Sequence, residues 1–361
     1  MRAAILEEWG KPLVVGEVEL GSPGLGEVRV KIAATGVCHS DLSVQKGLLP
    51  WPVPAVLGHE AAGEVVEVGS GVRSVAVGDH VVISWVPMCG TCFFCTRDQA
   101  HLCITYRYLL GKMDDGTSRI SKDGVEISHG VNSATFAEEA IVRETAVVKI
   151  PKDVPLDVAA LIGCAVLTGV FAAITTARIV PGERVAVIGC GGVGLNVIQG
   201  CRIAGASTIL AIDPVESKRD AAVKFGATHT CAPDDAAGMI MGLTDNIGPD
   251  AVFEVVGRAA LQRTAFDLVR AGGRAVMVGA APLADEPSFP SLGFLFMEKK
   301  ILGCYYGSCN PRRDIPRIID LWRAGSLDLE GLVTDRMPLE SVNEAFEAME
   351  AGTAIRTLLV P

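Results

Sequence analysis

At 361 residues the chain exceeds the roughly 250–300 that one hydrophobic core sustains, so two domains are expected. Apolar types make up 49% and charged types 20%, which excludes a disordered chain. With 32 basic against 42 acidic residues the formal charge is −10, a poor balance for nucleic acid or an anionic membrane surface.

The start, Met1-Arg2-Ala3-Ala4-Ile5-Leu6-Glu7-Glu8, has acids where a targeting segment would continue its apolar run, so a cytoplasmic protein is expected. The first part of the chain reads as β-rich, with Val-rich strands predicted over 27–32 and 64–68. The second alternates imperfectly, because Glu64 and Glu67 fall on opposite faces of a regular strand. Residues 158–177 carry no charge and are long enough to cross a bilayer, but Gly163, Thr168, Gly169, Thr175 and Thr176 favour a buried core segment. After Pro181-Gly182 the pattern changes to strands near 184–189, 208–213, 251–256 and 274–278. Helices alternate with them, to about 204 and over 216–225, 236–243 and 259–268. That alternation predicts a parallel sheet with helices on both faces. Two further helices are predicted in the tail, at 314–323 and 341–351.

Gly189-Cys190-Gly191-Gly192-Val193-Gly194 has G-x-G-x-x-G spacing, follows a strand and opens a helix, and Asp213 ends the next strand. The glycines permit a tight turn and let backbone N–H groups approach a pyrophosphate at the positive end of the helix. Asp213 suits the adenosine ribose hydroxyls and would repel a 2′-phosphate. NAD is therefore expected rather than NADP.

Cys89, Cys92, Cys95 and Cys103 place four thiols in one loop. Four thiolates suit a closed, tetrahedral zinc site. An iron–sulfur cluster also uses tight cysteine spacing, but the longer last gap and the missing Cys-Pro weigh against it. A nucleic-acid zinc ribbon is disfavoured by the acidic balance, with Arg97 the only cation near the loop before Arg107. Cys38-His39-Ser40-Asp41, Gly58-His59-Glu60 and Cys164 are dispersed, and spacing alone does not join them. Read singly, such residues are more often core than ligand.

Together these features resemble the zinc-dependent, medium-chain alcohol dehydrogenase family over nearly the whole chain. Gly58-His59-Glu60-Ala61-Ala62-Gly63-Glu64-Val65-Val66-Glu67-Val68-Gly69 matches a family signature, and the cysteine loop, the glycine fingerprint and Asp213 follow in family order. The resemblance implies an α/β protein. A GroES-like β-rich catalytic domain would span 1–165 and 306–361, with a structural-zinc loop at 89–103. A doubly wound, parallel-sheet Rossmann domain would occupy 166–305, with the active site in the cleft. It implies two zinc ions per chain: a structural one on the four cysteines and a catalytic one on Cys38, His59 and Cys164, with a fourth position for water or substrate. Glu60 would approach that metal from behind, and Asp41 would orient the His59 ring. NAD would contact His39, Thr168, Gly189, Gly191, Gly192, Val193, Gly194, Asp213, Lys218, Val255, Val278 and Arg356. Among these, His39 lies near the pyrophosphate, Thr168 near the nicotinamide, and Lys218 and Arg356 near the ribose and phosphates. A homodimer would form through the Rossmann edge near 299–305.

A neutral alcohol donates hydride poorly and an alkoxide donates it well. Zinc lowers the pKa of bound water from about 15.7 to about 7, and a bound alcohol should shift in the same direction. By resemblance, Ser40 takes the alcohol proton, hydride passes to nicotinamide and an aldehyde leaves. Relatives place a His five residues after the ligand Cys at the end of this relay; here Ser43 stands there. The relay would end at water, at the cofactor ribose or at His39.

Local resemblance is strongest to the class III, glutathione-dependent formaldehyde dehydrogenase branch, through Asp115-Gly116-Thr117-Ser118-Arg119, Ser133-Ala134-Thr135-Phe136 and Arg107. That branch carries an acidic pair in the loop before Gly-His-Glu. The loop here, Gly47-Leu48-Leu49-Pro50-Trp51-Pro52-Val53-Pro54, has no carboxylate. The expected substrate is a primary, apolar alcohol or aldehyde, with Leu49 and Trp51 lining the pocket. The alternatives are a thiol adduct of the S-hydroxymethylglutathione type and, in a different class, a zinc- and NAD-binding protein without turnover.

Overall fold

In the computed structural model, which describes residues 1–106 and 109–361, the Val-rich run at 27–32 extends into a long strand, Glu27–Gly36. It pairs antiparallel with Ala61–Val68, and on its other edge with Glu139–Arg143 and Arg356–Val360. The imperfect alternation at Glu64 and Glu67 has a physical cause. The register slips, so that Lys31 faces Glu64 and Val30 faces Val65, but Arg29 faces Glu67. Val66 is the extra residue of a β-bulge, which re-phases the strand. Glu64 and Glu67 thereby share one face instead of opposing each other, and Glu67 ion-pairs with Arg29 at 3.0 Å. The opposite face supplies Val28, Val30, Ile32, Val65, Val81 and Ile83 to a buried core.

The chain forms two compact units, Met1–Cys164 with Asn310–Pro361, and Ala165–Cys309. The tail joins the first unit because Arg356–Val360 inserts between Glu27–Gly36 and Val333–Pro338. The return to this unit falls after Cys309 rather than at 306, since Tyr306–Ser308 packs on the helix Ala165–Phe171. The tail helices are Pro311–Arg323 and Val342–Ala351. The first starts earlier than expected because the Asp314 carboxylate accepts the Asn310 N–H at 2.8 Å, with Pro311 at the first helical position.

The second unit holds, among the described residues, six parallel strands in the order His229–Cys231, Thr208–Ile212, Arg184–Ile188, Ala251–Glu254, Arg274–Met277, Lys300–Gly303. The first three lie in reverse sequence order and the last three in forward order, which is the doubly wound arrangement. Strand Ala251–Glu254 ends earlier than expected because Glu254 Oε1 accepts the N–H groups of Val256 and Gly257, at 2.9 and 2.7 Å, and turns the chain. Among the elements that the sequence pattern did not mark are His229–Cys231 and Ser291–Met297. The first is too short to show alternation, and the second exposes Leu292, Leu295 and Phe296, so it has no single apolar face.

The uncharged stretch 158–177 is broken at Cys164, whose φ of −142° and ψ of −78° leave the helical region. No single helix among the described residues is long and apolar enough to cross a membrane.

Candidate active site and metal centres

The loop 89–103 brings its four sulfurs within 4.8 Å of one another. Cys89 and Cys95 lie 4.0 Å apart, as do Cys92 and Cys103. Zinc–sulfur bonds of about 2.3 Å in a tetrahedron require sulfur separations of about 3.8 Å, so the set fits a closed zinc site. The Cys89 sulfur accepts N–H bonds from Cys92 at 3.2 Å and Thr91 at 3.4 Å. Burial opposes its ionisation, but bonds from Thr105, Thr91 and Cys92 bring it down to about 5. Burial and the neighbouring thiols push Cys95 up to about 12. Thiols split in this way hold all their negative charge together only around a cation. Arg97, 3.8 Å over the Phe93 ring, lies in the same loop. Arg107 lies outside the described residues.

Cys38, His59 and Cys164, scattered in sequence, also bring their ligand atoms within 4.8 Å of one another, and all three are buried. Cys38 caps the helix His39–Gln45, directly after the long strand. His59 lies in the connection before Ala61–Val68, and Cys164 at the break between two helices. Gly58, at φ +88°, sets the approach to His59; a Cβ there would also lie 2.5 Å from the Phe136 ring. Asp41 Oδ1 accepts the Gly58 N–H at 3.0 Å and lies 3.1 Å from His59 Nδ1. Nδ1–H is therefore the donor, and Nε2 is left to face a metal. A bond from the Cys164 thiol, with help from His59 and Arg356, holds Cys38 well below the usual thiol range, and Cys164 is raised in turn. Against burial, which disfavours the imidazolium, Asp41 and Cys38 raise His59. Two buried sulfurs and an oriented imidazole within 4.8 Å of one another fit the donor set of a zinc site with an open fourth position, whose metal would displace the thiol protons.

Glu60 and Arg356 form a buried ion pair behind this set. Arg356 Nη2 lies 2.5 Å from Glu60 Oε2, and Nη1 donates to Val37 O at 3.0 Å. Arg356 is thus buried and ion-paired rather than a solvated surface charge. Ser40 and Ser43 sit one turn apart on the helix His39–Gln45, both half-buried, while His39 is exposed to solvent. Leu49 and Trp51, with Val53, pack partly buried against a core that contains Val37, Leu42 and Leu57, the residues flanking the ligands. Trp85 was missed: its ring meets His59 edge-on, with centroids 5.9 Å apart. No motif in its sequence surroundings pointed to His59.

In the second unit the glycine fingerprint joins Arg184–Ile188 to the helix Gly192–Ile203. A Cβ on Gly194 would lie 1.9 Å from Gly189 O, so only glycine allows this helix to approach the strand. A Cβ on Gly191 would meet nothing within 4 Å, which leaves open space over the turn for a pyrophosphate. Asp213 Oδ2 accepts the Cys190 N–H and Oδ1 the Val215 N–H, each at 2.9 Å. Sequence reasoning passed over Arg219, whose Nη1 donates to Asp213 O at 2.7 Å and so fixes the backbone beneath that carboxylate. Lys218 and Arg219 both act electrostatically on Cys190. Val193 lies in the first turn of the fingerprint helix, while Val255 and Val278 follow the ends of neighbouring strands. Thr168 is half-buried in Ala165–Phe171. Glu254, also missed, is fully buried between these strand ends.

The paired thiol-rich sets and the dinucleotide sheet define a zinc-binding, NAD-linked oxidoreductase of the alcohol/aldehyde dehydrogenase type. Residues 24–152 match the alcohol dehydrogenase GroES-like domain family, and 192–324 match the zinc-binding dehydrogenase family. The chain belongs to the zinc-dependent, medium-chain alcohol dehydrogenases. It is 38% identical over 374 residues to the class-3 alcohol dehydrogenase of Cereibacter sphaeroides, covering 99% of each chain. It is 38% identical over 373 residues to the S-(hydroxymethyl)glutathione dehydrogenase of Paracoccus denitrificans, again covering 99% of each. Among solved structures, the benzyl alcohol dehydrogenase of Acinetobacter calcoaceticus superposes with a TM-score of 0.94 at 31% identity, covering 99% of this chain and 98% of that one.

Proposed function

We propose that this enzyme moves hydride between a primary, apolar alcohol or its aldehyde and NAD. Cys38, His59 and Cys164 hold the catalytic zinc in this reading, and Cys89, Cys92, Cys95 and Cys103 the structural one. Zinc at the first set supplies a Lewis acid that eases loss of the alcohol proton, and NAD supplies the hydride acceptor. Asp41 holds the His59 tautomer, and Glu60 with Arg356 forms the charged floor beneath the ligands. Ser40 takes the proton. With Ser43 in place of the usual His, the proton leaves through water, the cofactor ribose or His39. Asp213 receives the adenosine ribose, and the backbone of Gly191, Gly192 and Val193 receives the pyrophosphate.

The observation that carries the substrate class is the loop 47–54. It has no carboxylate, and Leu49, Trp51 and Val53 lie against the apolar residues that support the ligands. Trp85 adds an aromatic ring beside His59. An ammonium group buried here without a partner would lose several kcal/mol of hydration. The identity to the class-3 and S-(hydroxymethyl)glutathione relatives favours the second reading, a glutathione adduct. Comparing kcat/KM for S-hydroxymethylglutathione with cinnamyl alcohol, benzyl alcohol and octanol separates them; a clear advantage for the adduct overturns the apolar reading.

The assembly in this reading is a homodimer. Lys300–Gly303 is the last strand of its sheet among the described residues, and the nearby helix Ser291–Met297 exposes Leu295 and Phe296. An unpaired edge beside exposed apolar side chains calls for a cover. Sedimentation at the monomer mass would contradict it. Free cysteines throughout the chain suit the reducing cytoplasm.

A further inference from the structure

The loop 47–54 is poor in hydrogen-bond donors, because Pro50, Pro52 and Pro54 have no N–H. Its ends are secured. Ser43 O accepts the N–H groups of Leu48 and Leu49, at 2.8 and 3.1 Å, and Pro54 O accepts the Ser128 N–H at 2.8 Å. Between Leu49 and Pro54, among the described residues, one hydrogen bond reaches the loop from elsewhere. It comes from Trp9, whose Nε1–H donates to Trp51 O at 3.2 Å. The Trp9 side chain also lies against Gly47, where an added Cβ would sit 3.5 Å from Trp9 Cβ and 3.7 Å from its Cγ.

The turn that carries Trp9 is itself tied to the helix of Ser40. Gly10 N–H donates to Gln45 O at 2.6 Å, and Gln45 Nε2 donates to Lys11 O at 3.0 Å. Gln45 is the last residue of that helix. Trp9 is 49% exposed, so it does not serve as core. Its apolar face touches one end of the loop and its N–H holds the middle.

We propose that Trp9 is a positioning residue: it fixes the middle of loop 47–54 and thereby sets how tightly apolar alcohols are held. This rests on the reading of that loop as the substrate wall. Trp9 touches neither ligands nor cofactor in this account and acts through Trp51 and Leu49.

The test uses zinc-loaded enzyme and three variants, Trp9→Ala, Trp9→Phe and Leu49→Ala. Amide hydrogen exchange is read at Leu49 and Ser128, whose N–H groups are bonded to Ser43 O and Pro54 O at the two ends of the loop, and KM and kcat are read for octanol, cinnamyl alcohol and ethanol. In Trp9→Ala, exchange at both amides accelerates and KM for the two larger alcohols rises about fivefold at nearly constant kcat, the scale of one lost hydrogen bond. Ethanol changes less than about twofold, since its short chain buries little surface. Trp9→Phe keeps the ring, loses the N–H and gives a smaller shift in the same direction; it carries the test should Trp9→Ala fold poorly. Unchanged exchange at Leu49 and Ser128 in both Trp9 variants overturns the proposal. Faster exchange with unchanged KM, while Leu49→Ala raises KM for octanol, overturns the link from Trp9 to substrate. If Leu49→Ala leaves KM for octanol unchanged, the substrate-wall reading falls, and the proposal with it.

Discussion

The two thiol-rich centres of the first unit are built in opposite ways. The four cysteines of 89–103 come from one loop, and three of them are only partly buried. Cys38, His59 and Cys164 come from a strand end, a connection and a helix break, and all three are buried. A site closed within one loop needs little of the fold in order to assemble, so its metal organises the loop around it. A site gathered from distant segments exists only once the sheets and helices are in place. Its surroundings, namely Asp41, Trp85 and the Glu60–Arg356 pair, then tune what it does. In the proposed function the first centre is a staple and the second a reagent, which gives the comparison testable content.

The sharpest break comes from removing one ligand of each. His59→Ala is expected to lower kcat by roughly three orders of magnitude or more while the circular dichroism and Tm stay near wild type. Cys92→Ser is expected to do the reverse: elemental analysis should show one zinc lost, and Tm should fall by on the order of 10 °C. Two intact zinc ions in Cys92→Ser, or a collapsed fold in His59→Ala, would erase the distinction.

A smaller effect sharpens it. Asp41→Asn keeps the shape but removes the carboxylate that holds His59 Nδ1–H, and should cost about 10–100-fold in metal affinity or activity. Metal content measured by titration with a chelator should show loss from the dispersed set first, with the loop set unchanged. Away from both centres, Asp213→Gly should raise KM for NAD by about tenfold and improve NADP relative to it, with both zinc ions retained. Equal wild-type kcat/KM for the two cofactors would contradict the role of Asp213.

A last effect, confined to acid pH, separates acid damage to the fold from acid loss of metal. His129 is buried, accepts the Arg119 N–H through Nε2 at 3.1 Å, and is pushed down to about 3 by burial and by Arg143, Arg119 and Lys112. The unfolded chain therefore takes up this proton first, near 6.5, while the folded chain resists it. Stability from this group is complete above that value and is lost as pH falls toward 3, by up to about 1.4 kcal/mol per pH unit. Chemical denaturation of His129→Gln should show a shallower acid slope than wild type, with equal zinc content at neutral pH. Identical slopes would assign the acid sensitivity elsewhere.

Sequence alone determined whatever depends on neighbours along the chain. The four-cysteine loop, the glycine fingerprint and Asp213 at the end of the next strand were legible because their chemistry is set by short spacings and by strand-to-helix turns. The tertiary structure decided what depends on distant segments meeting. Spacing did not join Cys38, His59 and Cys164; family resemblance suggested the trio, and the fold supplied the proximity. Val66 became a bulge only because Arg29 and Val30 set the register across from it. Arg356 became the counter-ion of Glu60 because the C-terminal strand inserts beside Gly36, which brings a tail residue next to the ligands. Trp85 and Trp9 carried no motif, and their contacts with His59 and Trp51 follow from packing across a large sequence separation. Local patterns encode backbone geometry and ligand type, whereas partner choice among distant side chains is fixed only when the chain has closed its long loops and excluded water from between them.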